Sequence, residues 1–379
     1  MGIHLGKVMV VFGTRPEAIK MAPVINELKM EEDINTIVAV TAQHRDMLDQ
    51  VLNLFNIKPD YDLNLMKQQQ DLYSVTSEVL TGMKEILEKE KPSLVLVHGD
   101  TTTTFAAALA AFYQKIPVGH VEAGLRTKNK YSPFPEEMNR TLTGKLAELH
   151  FAPTDTSREN LLREAAANFK IWVTGNTVID ALLTTIKDDY QFPKELSKIN
   201  FNNRILLVTT HRRENWGEKM RQIYGALIDL VEEFTDIEVV FPVHKNPIVK
   251  DIAHEMLGDK ERIHLIEPLD YEPFANLMNA SHIILTDSGG MQEEAPSLGK
   301  PVLVLRDTTE RPEAVEAGTV KLTGTVHEHI YNDTKQLLTN TQEYEKMAKA
   351  INPYGDGKAA KRIIKTIKEF LYVRIGNLN

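Results

Sequence analysis

No cysteine occurs among the 379 residues, so disulfides, thiolate nucleophiles, iron–sulfur clusters and cysteine zinc sites are excluded. Long hydrophobic runs are missing too. The longest clean one, FAAALAAF at 105–112, is far short of the ~20 residues that span a bilayer. Positive charge is not in excess: the net charge of −9 disfavours a nucleic-acid or anionic-membrane partner. The first residues lack a basic segment leading into an apolar one, and MGIHLG puts Gly6 where a myristoylation signal wants Ser or Thr, so a cytoplasmic protein is expected. The turn after the first apolar run, GTRPEAIK at 13–20, is neither G-x-G-x-x-G nor G-x-x-x-x-G-K-[ST], which excludes a dinucleotide fingerprint and a P-loop there.

What is present is an ordinary globular composition, 42% apolar and 26% charged, in a chain long enough for two domains. Short apolar runs at 8–12, 36–41, 94–98, 117–121, 149–152, 171–174, 205–209, 238–243, 263–266, 282–286 and 302–305 read as strands. Helix-like segments lie between them, at 17–30, 72–89, 102–114, 136–148, 217–234 and 290–298. Continuous apolar strands alternating with helices imply parallel sheets covered on both faces. The series pauses at 186–204 and restarts with RILLVTTH. The expectation is an α/β protein of two doubly wound, Rossmann-like domains facing a cleft: 1–175, joined by a terminal helix at 358–379, and 176–357.

Ligands of such sheets sit outside the carboxyl ends of the strands, and there the chemistry-bearing residues collect. Arg15 stands at a helix entrance with Lys20 about a turn later, which suits a phosphate or carboxylate; the alternative is a capped helix with solvated charges. Asp100 in HGDTTTTFA could be a helix N-cap or a site acid. Glu122 in VGHVEAGLRT lies at the same sheet edge. Glu136 and Arg140 in FPEEMNR are i and i+4, one helix face, and so either a surface pair or part of the same site. In the second half, His211 and Arg212 follow one strand and His244 another. Ser288, Gly289 and Gly290 in TDSGGMQEE offer bare backbone N–H groups to a phosphate, and Glu294 lies one turn on, where it could hold a ribose diol. DYD at 60–62 and HEH at 327–329 look like metal motifs, but the first reads as turn chemistry in a connector and the second lacks a third ligand; no metal is expected.

The motifs FGTRPEAIKMAP, HGDTTTTFA, HVEAGLRT, FPEEMNR, HRREN, TDSGGMQEEAPSLGKPVLVLRDTTERPE and NPYGDG together resemble the non-hydrolysing UDP-N-acetylglucosamine 2-epimerases, in order over roughly 5–370. The resemblance implies a glycosyltransferase-B-like fold without NAD or metal, and interconversion of UDP-GlcNAc and UDP-ManNAc. The implied route is anti elimination of UDP to 2-acetamidoglucal and re-addition, supplying ManNAc for cell-surface polysaccharide such as teichoic-acid linkage units or capsule. It further implies that Arg15 and His211 meet the diphosphate with Ser288, Gly289 and Gly290, and that Glu294 holds the ribose. Asp100, Glu122 and Glu136 become the proton-transfer and sugar-positioning acids, with Lys20 and Arg140 tuning them; which acid takes the C2 proton stays open between Asp100 and Glu122. An allosteric second UDP-GlcNAc would meet Gln43, His44, Gln70, Glu136, Arg212 and His244, although Gln69 stands where regulated relatives are expected to carry a basic residue. The nucleotide sugar is the only partner implied besides a second copy of the chain, in a homodimer.

Overall fold

The computed structural model describes residues 4–42, 45–65 and 71–376. Contacts divide the chain into two compact units, Met1–Ala181 with Tyr354–Asn379, and Leu182–Pro353. In the first, seven strands pair side by side: β1 (Gly6–Phe12), β2 (Ile34–Val40), β3 (Tyr61–Asp62), β4 (Leu94–His98), β5 (Val118–Val121), β6 (Leu149–Ala152) and β7 (Ile171–Val173). Their order is β3-β2-β1-β4-β5-β6-β7 and every pairing is parallel. The second unit repeats the plan with β8 (Arg204–Thr209), β9 (Ile237–Pro242), β10 (Ile263–Ile266), β11 (Ile283–Thr286), β12 (Val302–Val304) and β13 (Val320–Leu322). Its order is β10-β9-β8-β11-β12-β13, again all parallel. Both are Rossmann-like doubly wound α/β domains.

The interior strands are apolar on both faces because helices cover both. Val8 to Phe12 and Leu94 to Val97 are without exposure, as parallel strands between two helical layers should be. In the first unit Met9, Val11, Val95 and Val97 pack with Val79, Met83 and the alanines of the Thr102–Tyr113 helix. In the second, Leu206, Val208, Val239 and Phe241 pack with Tyr224, Leu227 and Leu230. Two strands escape a reading by apolar runs. β3 has two residues, half-buried and exposed, and β13 buries only Val320 of its three. The former is the last two residues of DYD, which therefore enter an edge strand; Asp60, in the bend before it, accepts a hydrogen bond from the Val38 N–H at 2.8 Å. His327 of HEH pairs with Asp229 at 2.9 Å. The C-terminal helix Ala359–Gly376 begins where the Asp180 carboxylate accepts from the N–H groups of Ala359 and Ala360 at 3.1 and 2.9 Å, a carboxylate cap on orphan helix donors.

Strand order reverses twice, between β1 and β4 and between β8 and β11. At such switch points the connecting loops diverge and leave a crevice at the carboxyl ends. Arg15 and Asp100 follow β1 and β4; His211 and Ser288 follow β8 and β11.

Candidate active site

In the first unit, Thr14 caps the helix Arg15–Lys29, and Glu17 completes a capping box. Glu17 does more than cap. One carboxylate oxygen accepts from the N–H groups of Gly13 and Thr14 at 3.0 and 2.8 Å. The other accepts from the hydroxyls of Thr101 and Thr104 at 2.7 and 3.1 Å. One buried acid thereby ties the β1 turn, which carries Arg15, to the β4 turn, which carries Asp100. Arg15 itself is half-buried and has no hydrogen-bond or ion-pair partner among the described residues.

Asp100 is not a helix cap. That position belongs to Thr101, whose hydroxyl accepts from the Thr104 N–H. Asp100 is freed for another purpose and its turn is clamped: the carbonyls of His98, Gly99 and Asp100 accept from Thr104 Oγ1 at 2.5 Å, His120 Nε2 at 2.7 Å and Asn139 Nδ2 at 3.0 Å. The Asp100 side chain meets Arg140 at 2.7 Å. Arg140 also approaches Glu137 at 3.6 Å and forms no ion pair with Glu136 among the described residues, so the i, i+4 surface pair considered from the sequence is not made. Glu136 Oε2 is buried without a hydrogen-bond partner, and Glu136 lines a hollow of about 1120 Å³ with Asp100, Thr14 and Asn139.

Glu122 sits between two partners. Lys20 Nζ is 2.5 Å from its Oε2 and His98 Nε2 is 3.1 Å from the same atom. Its backbone is left-handed, with φ of +60°, a conformation that costs a non-glycine residue of order 1–3 kcal/mol and persists where surroundings demand it. The two carboxylates are pushed in opposite directions. Burial pushes Asp100 above the usual carboxylate range; Arg140 opposes the shift and Glu122 adds to it. Burial pushes Glu122 up as well, but Lys20 and then His98 outweigh it and hold this acid well below the ordinary range. Neighbouring His120 is driven by burial down to about 3 and is neutral.

In the second unit the organising group is Asp287, which has no exposure. Its Oδ2 accepts from the N–H groups of His211 and Arg212, both at 2.9 Å, and from Asn215 Nδ2 at 3.2 Å. Its Oδ1 lies 2.8 Å from His211 Nδ1. These donors, His211 foremost, overcome burial and keep Asp287 below the usual carboxylate range. Ser288 occupies the N-cap position of the short helix Gly289–Glu294, yet its hydroxyl makes no cap bond. A Cβ placed on Gly289 would find its nearest neighbours, Arg311 and Arg212, at 3.9 and 4.0 Å, which sets two guanidinium groups beside this helix start. Glu294 is half-buried one turn on. His211 and His244 stack with ring centroids 6.0 Å apart and line a largely apolar hollow of about 230 Å³ with Pro242, Leu269 and Phe274.

The structure thus brings Lys20 to Glu122 and Arg140 to Asp100, and sets His211, Arg212, Ser288, Gly289 and Gly290 around one switch point. Gln43, His44 and Gln70 lie outside the described residues. Glu17, His98, Asn139, Asn215 and Asp287 were not singled out from the sequence; only Asp287 left a signal, an acid at a strand end directly before Ser-Gly-Gly. Among the described residues no group of three or more His, Asp or Glu side chains could hold a metal ion, and no helix is long and apolar enough to cross a membrane.

Residues 26–368 match the family model described as UDP-N-acetylglucosamine 2-epimerase. A Bacillus subtilis UDP-N-acetylglucosamine 2-epimerase is 60% identical over 361 residues, covering 95% of this chain and 94% of the relative. An Escherichia coli relative of the same description is 55% identical over 370 residues, covering 96% and 98%. The crystal structure of the UDP-GlcNAc 2-epimerase from Neisseria meningitidis, bound to UDP-GlcNAc, superposes with a TM-score of 0.85 at 55% identity, covering 96% of this chain and all of that one. With two Rossmann-like domains, a paired set of opposed carboxylates and matches of this depth over nearly its whole length, the chain belongs to the non-hydrolysing UDP-N-acetylglucosamine 2-epimerases, a family of isomerases.

Proposed function

We propose that the chain interconverts UDP-GlcNAc and UDP-ManNAc by breaking and remaking the bond between the sugar and the diphosphate. The observation that carries this reading is a pair of carboxylates on adjacent strand-end turns in unlike surroundings: Asp100 against Arg140 at 2.7 Å, and Glu122 between Lys20 at 2.5 Å and His98 at 3.1 Å, with burial raising the first and the two cations lowering the second. Environments that push two carboxylates apart assign them different roles in proton transfer.

The chemistry demands such a pair. The C2 hydrogen of an N-acetylglucosaminyl nucleotide is not acidic, because no carbonyl is conjugated to C2. Departure of UDP builds positive character at C1 and acidifies that hydrogen. In the elimination the C1–O pair goes to the β-phosphate oxygen and the C2–H pair becomes the C1=C2 double bond of 2-acetamidoglucal. Asp100 takes the proton. Glu122, kept ionised by Lys20 and His98, stabilises the cationic C1. In the re-addition Glu136 gives a proton to the other face of C2, the C1=C2 pair becomes the new C2–H bond, and a β-phosphate oxygen returns its pair to C1, yielding the manno epimer. Arg15, His211 and the N–H groups of Ser288, Gly289 and Gly290 stabilise the departing diphosphate, Glu294 holds the ribose, and the apolar hollow beside Phe274 receives the uracil. The Neisseria relative, described as bound to UDP-GlcNAc, supports the choice of ligand.

A second UDP-GlcNAc at Glu136, Arg212 and His244 would act as activator by favouring the reactive state; a sigmoidal rate curve checks it. A homodimer is proposed on the family resemblance, with sedimentation as its check. Neither NAD nor metal takes part, and ManNAc for surface polysaccharide is the proposed product use. The reaction is tested by incubating the protein with UDP-GlcNAc alone and, separately, UDP-ManNAc alone. Both must reach the same mixture of nucleotide sugars; accumulation of free ManNAc and UDP instead would refute the reading.

A further inference from the structure

We propose that Asp287 is a positioning residue that fixes the tautomer of His211, so that His211 binds a diphosphate only as the imidazolium and UDP binding takes up a proton. The inference rests on the reading of His211 as a diphosphate ligand and deepens it.

The geometry decides the tautomer. Asp287 is fully buried, and its Oδ1 is 2.8 Å from His211 Nδ1. An ionised carboxylate only accepts hydrogen bonds, so Nδ1 must carry the hydrogen. Nε2 has no partner among the described residues, and 37% of the His211 side chain is accessible. In neutral His211 that exposed Nε2 presents a lone pair, which repels phosphate oxygen. Only protonation turns it into a donor. The same arrangement, a buried acid holding the far nitrogen of a working histidine, orients imidazole in acid–base sites generally.

The groups facing His211 are few. Asp287 approaches from the end of β11. Arg212, next in the chain, directs Nε at the Asp287 carbonyl at 3.4 Å. His244 stacks from the end of β9. Tyr224 meets Thr210 at 3.0 Å and is pushed by burial up to about 12, so it stays neutral. The remaining neighbours in the hollow, Thr209, Pro242, Pro268, Leu269 and Phe274, do not titrate. Among the described residues, Asp287 is the one anion paired with the ring.

Asp287→Asn makes the tautomer testable because the donors favour one orientation of the amide. Oδ2 meets three donors (His211 N, Arg212 N and Asn215 Nδ2), whereas Oδ1 shares only the longer branch of the His211 N–H, at 3.2 Å, so the Oδ2 position keeps the carbonyl oxygen. The NH₂ then replaces Oδ1 and donates to His211 Nδ1. Neutral His211 becomes the Nε2–H tautomer, already a donor.

The experiment uses the full chain with ¹⁵N-labelled histidine. NMR of the unliganded wild type at alkaline pH should show the neutral ring as Nδ1–H; in Asp287→Asn it should show Nε2–H. Calorimetry with UDP at the same pH, in buffers of different ionisation enthalpy, should show uptake of about one proton in wild type and nearly none in the variant. Wild-type UDP affinity should fall about tenfold per pH unit over the alkaline range, and the variant's should stay flat. A wild-type Nε2–H tautomer overturns the proposal, whether or not the variant folds. So does equal proton uptake by both forms. If UDP does not bind the wild type at all, the functional reading fails, and the tautomer still decides this one.

Discussion

Lys20→Met probes the Glu122 clamp most sharply. Glu122 is 10% exposed at its side chain and Lys20 19%, so both charges are largely withdrawn from water. In the wild type the folded pKa of Glu122 is depressed; its contribution to stability is present above the unfolded value and is lost as pH falls through the folded one. Removing Lys20 takes away the largest force lowering that pKa and leaves only His98 to oppose burial. The folded pKa rises, so the variant's deficit is greatest at high pH, where Glu122 is charged, and fades as pH drops and Glu122 protonates. Removing one partner of a buried pair costs about 3–5 kcal/mol. A domain of this size loses roughly 2–4 °C of Tm per kcal/mol, so calorimetry at pH 8 should show a fall of roughly 6–20 °C in the transition of the first unit, shrinking at pH 5. Lys20→Met with Glu122→Gln should recover most of the loss, since the orphaned charge is gone, while activity stays absent. A double variant no more stable than Lys20→Met at pH 8 would refute the reasoning.

Three further outcomes follow from the same geometry. Asp100→Asn and Glu122→Gln should each lower kcat by roughly 10²-fold or more while UDP affinity measured by calorimetry is unchanged; unchanged kcat in both would remove them from the chemistry. Arg15→Ala, which strips from the β1 turn a cation without a partner among the described residues, should cost about 10²–10³-fold in kcat/KM, read in steady-state assays. His120, buried and held near 3, stays neutral in the fold while the unfolded chain takes up a proton below its ordinary value of 6.5. Stability should therefore fall by up to about 1.4 kcal/mol per pH unit for this residue from about pH 6.5 toward 3, and His120→Asn should flatten that acid slope in denaturation measured over pH.

Much of the fold was legible because the interior strands of a parallel sheet must be apolar on both faces: Val8 to Phe12 and Leu94 to Val97 announce themselves. β3 and β13 do not, since edge strands of two and three residues with exposed positions carry no such run. Arg15, Asp100, Glu122 and His211 were legible as polar residues at strand ends, where a doubly wound fold collects its chemistry. Their wiring was not. Glu17 reads as an ordinary first-turn helix acid, and nothing local shows that it reaches Thr101 and Thr104, more than eighty residues on. His98 reads as the end of a strand. Whether it meets Glu122 depends on the left-handed turns at Gly99, with φ of +66°, and at Glu122, which pattern reading cannot supply. The Asp100 cap failed for a similarly local reason: four threonines follow it, and Thr101 was the better placed.

The central claim is that the bond between C1 and the bridging oxygen breaks and re-forms. UDP-GlcNAc carrying ¹⁸O in that bridge tests it directly, because UDP held after cleavage can rotate its β-phosphate before re-addition. Recovered nucleotide sugar should carry ¹⁸O scrambled into the non-bridging β-phosphate positions, together with epimerisation. Epimerised UDP-ManNAc that retains all its ¹⁸O in the bridge would contradict it.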